Sequence, residues 1–169
     1  MDPLAAGFWG AFFCTALLML VISLAAFRRS HRRVALMAGL TSLFSAAFVI
    51  AFLGWLPFEG AVEARVLAHV AVLTAAALAL MLMSTLGMLR QSSLGRRAVA
   101  ALAGGSVAVL LAGWLLDPAQ SLALSSVAAF TVGTVMLVIA TRGALRGDRA
   151  GWSAVAGIFF MLVALAGLS

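Results

Sequence analysis

Residues 27–33 read FRRSHRR: four arginines and a histidine between two long apolar runs, in a chain whose eleven basic side chains are all arginine. The flanking stretches 5–27 and 34–56 contain no Asp, Glu, Lys or Arg. Each is long enough to cross hydrocarbon, for which about 20 mainly apolar residues suffice. Three readings of the basic run compete: a nucleic-acid patch, a clamp for acidic lipids, or a determinant of which way the chain faces. The rest of the sequence decides between them.

Of 169 residues, 65% are hydrophobic and 9% charged, and the mean hydropathy is +1.20. Soluble domains carry roughly 25% charged residues. A water-soluble fold of this size has too little interior to hide so much apolar surface, so the solvent is lipid. Residues 1–169 read as a single transmembrane domain. The lone cysteine, Cys14, lies in an apolar run and has no intrachain disulfide partner. A pI near 11.8 suggests nucleic acid only where the charge forms a basic face; here it is confined to gaps. Arginine without lysine, together with abundant alanine, points to a GC-rich bacterial gene.

Six stretches have the length of a membrane span, at about 5–27, 34–56, 66–89, 98–116, 121–141 and 152–168. Helix is the expected form, because a backbone in hydrocarbon must satisfy its own hydrogen bonds. The alternation of a membrane β-barrel is absent from the sequence. The predicted fold is therefore all-α, a polytopic bundle of six transmembrane helices with short loops.

The gaps sort by charge. Ten arginines fall in the first, third and fifth gaps: Arg28, Arg29, Arg32 and Arg33; Arg90, Arg96 and Arg97; Arg142, Arg146 and Arg149. Arg65 is the exception. Asp2, Glu59, Glu63 and Asp117 fall in the other gaps or at the amino terminus. Short arginine-rich loops stay cytoplasmic. Both termini are thus expected on the outer side of a bacterial cytoplasmic membrane, and FRRSHRR is chiefly a topology determinant. Contact with anionic headgroups accompanies that role. A nucleic-acid partner is not expected, because no stacking aromatics attend the basic loops. Tryptophan agrees with this scheme: Trp9, Trp55 and Trp114 belong to the outer interface and Trp152 to the inner one. The amino terminus lacks the basic start of a signal peptide and reads as a retained first helix.

Lipid tails remove the hydrophobic drive between helices, so close backbone approach must replace it. Small residues spaced by four supply candidate packing faces: Gly7, Ala11 and Thr15; Ala71, Ala75 and Ala79; Ala101 and Gly105 with Ala98, Ala108 and Ala112; Ser125, Ala129 and Gly133. Packing within the bundle is the ordinary expectation, and a partner docked on the fourth helix is the sharper one. The hydroxyls of Thr41, Ser42, Ser45, Ser84, Thr85, Ser125, Ser126, Thr131 and Thr134 can bond back to carbonyls of their own helices.

Catalytic membrane proteins leave acids, bases or metal ligands inside their spans. Here every carboxylate lies outside the six stretches, and lysine and tyrosine are absent. Proton relays, ion-coupled transport, rhodopsin-like and intramembrane protease chemistry are therefore not expected, and no paired histidines suit a haem. His69 is the one titratable group well inside a stretch other than Cys14. With Glu63 it forms a weak candidate for an outward proton sensor or cofactor contact; two groups fall short of a specific metal site. The plainer alternative is a neutral histidine bonded to a neighbouring helix. No metal or cofactor is predicted. Asp117-Pro118 is read as a helix start.

These features favour a non-catalytic accessory subunit that binds, stabilises or helps assemble a larger inner-membrane complex, with lipids and other membrane subunits, or a second copy, as partners. A sensory input module is the alternative; with both termini outside, it needs one further span to reach a cytoplasmic effector. A carrier of a neutral or lipophilic molecule is the third. Its usual broken helices find no support, since prolines occur only at 3, 57 and 118.

Overall fold

A computed structural model of the protein describes residues 3–27, 32–85 and 93–147, together with 151, 152, 155 and 158. Five helices make up nearly all of it: α1 (Pro3–Phe27), α2 (Arg32–Phe52), α3 (Ala61–Thr85), α4 (Ser93–Leu115) and α5 (Pro118–Leu145). All five are long and apolar enough to cross a membrane. The chain is thus an all-helical membrane protein with five such helices among the described residues. Most of the sixth apolar stretch lies outside those residues, as do Arg28, Arg29, Arg90 and Arg149.

Helix ends differ from the edges of the apolar runs for identifiable reasons. α3 begins at Ala61, five residues before its run, so Glu63 and Arg65 are helical and not in a loop. Glu63 lies in the first turn, where a carboxylate opposes the positive end of the helix dipole. α2 stops at Phe52 because Gly54 takes φ +68. Trp55 N–H then reaches Ile50 O at 3.1 Å and Gly54 N–H reaches Ala51 O at 3.2 Å, the paired bonds of a Schellman stop. α5 starts on Pro118 as read, but Asp117 makes no side-chain capping bond; its contribution is an extended backbone, not a capping carboxylate. The same helix runs on through Arg142, beyond its apolar run.

α3 is the hub of the bundle. It packs against α2, α4 and α5, while α1 packs chiefly on α2. Arg65 meets Leu116 and Trp9 meets Phe52, so successive helices run antiparallel. Trp9, Trp55 and Trp114 share one end, since Trp55 packs on Phe13 and Trp114 on His69. At the opposite end Ala79, Leu82 and Met83 close on Met136 and Ala140, with Val155 and Ile158 packed alongside. α3 and α5 are therefore parallel neighbours.

Small residues make these approaches possible on α3 and α5. Ala75 and Ala79 are buried on α3, and Ser121, Ser125, Ala129, Gly133, Ala140 and Ala144 form one buried stripe along α5. After α5, Gly151 lies so close to the Ala144 backbone that a Cβ would overlap it. The stripes expected on the other helices behave differently. Gly7, Ala11 and Thr15 are exposed, and α1 instead turns Trp9, Ala16 and Ser23 inward. Ala101, Gly105 and Ala108 of α4 are exposed as well. Cys14 is exposed and not buried.

Six of the nine hydroxyls bond back to their own helices: Thr41 to Met37 O, Ser42 to Ala38 O, Thr85 to Leu82 O, Ser126 to Leu122 O, Thr131 to Val127 O and Thr134 to Phe130 O. Thr74 does more, since its hydroxyl lies within hydrogen-bonding distance of Val70 O at 2.8 Å and of Phe44 O at 3.0 Å on α2. That second contact ties two helices where water is absent.

Met83 is 1% exposed and Leu115 89%. Met83→Ala should therefore lower stability by about 2 kcal/mol or more through the cavity it leaves. Leu115→Ala should stay within ~0.5 kcal/mol. Reversible unfolding in mixed micelles compares the two, and equal losses would contradict the packing.

Candidate functional site

The tryptophan-rich end of the α3/α4/α5 interface brings together Arg65, His69 and Ser121. Arg65 and His69 sit one turn apart on α3 and so share a face. Arg65 Nη2 donates to Leu116 O, at the end of α4, at 3.3 Å. His69 Nδ1 faces Arg65 O, and Nε2 faces Leu110 O of α4 at 3.2 Å. Both neighbours are carbonyl acceptors, whereas a neutral imidazole carries one N–H. A neutral ring would serve only one of them at a time, and an imidazolium both. Trp114 closes over it edge to face, with centroids 5.7 Å apart.

Gly113 allows α4 to come this close. A Cβ there would stand 2.8 Å from Ser121 Oγ on α5 and 3.3 Å from His69 Cε1. Ser121 is fully buried, and its Oγ has no hydrogen-bond partner; the buried Arg65 Nε has none either. An unpartnered polar atom in a dry interior costs about 1–3 kcal/mol. Two such atoms at one interface mark it as a site.

One to two turns further along the same three helices lies a half-open apolar cleft of about 240 Å³. Val72 and Ala75 of α3, Ala101 and Gly105 of α4, and Ala129 and Val132 of α5 line it. Small side chains on α4 and α5 leave this space.

The sequence pairing of His69 with Glu63 is not realised. Six residues apart, they point to different faces of α3, and Glu63 Oε1 lies beside Gly54 instead, 3.3 Å from where a Cβ would be. The plainer expectation, a histidine bonded to a neighbouring helix, describes His69 better. Among the described residues no group of three His, Cys, Asp or Glu is placed to hold a metal. Arg96, Arg97, Arg142 and Arg146 are exposed. Charge and spacing alone did not single out Ser121, Gly113 or the role of Arg65. Ser121 was within reach, for it extends the Ser125–Ala129–Gly133 stripe by one turn.

No family model, no curated protein and no solved structure matches the chain.

Substitutions separate the tight glycine from the free one. Gly113→Ala should destabilise by about 1–3 kcal/mol, the range for an overpacked core. Gly104→Ala, with nothing within 4 Å, should be neutral or stabilising by up to ~1 kcal/mol on helix propensity. Ser121→Ala should be neutral or stabilising in the empty protein, since it removes a hydroxyl without a partner. Unfolding midpoints of the three variants test the geometry, and a strongly destabilised Ser121→Ala would contradict it.

Proposed function

We propose that the chain is a non-catalytic integral membrane subunit that binds, stabilises or helps assemble a larger complex in a bacterial inner membrane. The carrying observation is the bare face of α4. Ala100, Gly104, Val107 and Leu111 are exposed along it, and among the described residues a Cβ added at Gly104 would meet nothing within 4 Å. Within hydrocarbon, close contact between small-residue faces is what holds helices together. A helix from another subunit, or from a second copy, would gain that contact here.

Six crossings with both termini outside complete this reading, and the arginine-rich gaps support it. Reporter fusions at the first and last residues should then report the outer compartment, and a fusion at Gly147 the cytoplasm; the reverse pattern would overturn the orientation. Extraction in mild detergent followed by native mass measurement should show a stoichiometric partner, lost in Gly104→Leu/Ala108→Leu. A lone monomer in native lipid would contradict the subunit reading.

A second reading has its own support. The unpartnered polar atoms of Arg65 and Ser121 beside His69 are the kind of intramembrane polar group that marks a function. They suit an input module that responds to something reaching that end of the bundle.

A further inference from the structure

The half-open cleft and the exposed arginines at the other end of the bundle share helix faces. α4 and α5 run antiparallel, with Gly113 set against Ser121. Eight residues along each helix from that contact, Gly105 and Ala129 both line the cleft. Sixteen residues along, Arg97 stands level with Leu137. Arg97 lies one turn from Ala101 of the cleft and so keeps to its side of α4. Arg142 follows Thr131 of the cleft by eleven residues, about three turns, and so keeps to its side of α5.

The two arginines converge. Arg142 is five residues past the level of Arg97, about 7.5 Å of helix rise. Side chains lean toward the amino end of their own helix, so in antiparallel helices Arg97 and Arg142 lean toward each other along the groove. Both are exposed, and the helical Glu63 and the Asp117 before α5 belong to the far end. Asp148, the one carboxylate that the sequence places near them, lies outside the described residues.

Paired, water-facing guanidiniums match the oxygens of a phosphate. One turn deeper the groove becomes apolar. Its 240 Å³ exceeds the roughly 150 Å³ that suffices for benzene, which is room for one acyl chain. Ala101 and Gly105 line this space and are exposed, so it opens sideways to the bilayer. A bilayer lipid stacks phosphate above chain in the same order, and it reaches both parts from outside without crossing the bundle. Basic pockets between membrane helices hold anionic headgroups in this way.

We propose that the α4/α5 groove holds one anionic phospholipid, its phosphate on Arg97 and Arg142 and one acyl chain in the cleft beside Ala101, Gly105 and Ala128. The second chain stays in the bilayer. This goes beyond the subunit reading and does not rest on it, because the bare face of α4 that carries Gly104 and Val107 is left free.

The test extracts the full chain in mild detergent with equimolar phosphatidylglycerol and phosphatidylcholine, and counts retained lipid by native mass measurement. One phosphatidylglycerol per chain is expected, retained about tenfold over phosphatidylcholine. Arg97→Gln and Arg142→Gln should each lower its retention about fivefold. Arg96→Gln removes the same charge about 100° around α4 and should leave retention within about twofold. Ala101→Leu and Ala128→Leu fill the cleft from its two walls and should each lower retention about tenfold, in protein shown to be folded by circular dichroism. Equal retention of the two lipids overturns the proposal, as does an equal loss in Arg96→Gln and Arg97→Gln, or retention unchanged in both cleft variants. Absence of retained lipid overturns it too, and is the result expected if a second copy or residues 159–168 of this chain fill the cleft. One phosphatidylglycerol held by a chain that stays monomeric keeps this site while the α4 docking surface falls.

Discussion

Hydrocarbon supplies no hydrogen-bond partners, and every feature of this bundle answers to that constraint. It selects helices over any open sheet. It turns hydroxyls back onto carbonyls four residues earlier, as at Thr41 and Ser126. It also makes an unmet polar atom informative. In water, a serine without a protein partner is unremarkable; within the α3/α4/α5 interface, Ser121 and Arg65 stand apart from the other described residues.

A second consequence concerns what holds the helices together. With the hydrophobic drive removed, contact depends on how near two backbones come. α3 and α5 meet through alanine, serine and glycine, and the large side chains buried in their shared core are Leu82, Met83 and Met136. α1 and α2 solve the problem differently, with Trp9, Phe48 and Phe52 interleaved near one end. The first strategy excludes bulk and the second fills space with it.

Much of the fold was legible in the sequence because lipid imposes a simple code of length and charge. The five described helices fall on five of the apolar stretches, and the shared end of Trp9, Trp55 and Trp114 follows from interfacial aromatics. Helix termini were less legible, since they depend on polar residues and backbone turns outside the apolar runs: Glu63 extends α3, and Gly54 cuts α2 short. The small-residue stripes were visible, but not which of them face a neighbour. Spacing by four says only that a face is narrow. Ala129 on α5 and Ala101 on α4 therefore look alike until rotation about each helix axis is known; Ala129 is buried and Ala101 is not. The polar site was half legible. His69 was singled out, yet beyond Arg65 on its own helix its companions are Leu110 and Trp114 of α4, more than forty residues away, and the nearby Glu63 faces elsewhere.

The attachment of α1 to α2 has a consequence for how the molecule is built. Because α1 packs mainly on a single neighbour, the first hairpin can enter the bilayer and zip up before any later segment is synthesised. The α3/α5 pairing must wait until α4 has been threaded between them in sequence. The aromatic clasp of α1 on α2 therefore needs only the start of the chain, whereas the small-residue core, with Val155 and Ile158 packed on it, draws on residues nearly to the end.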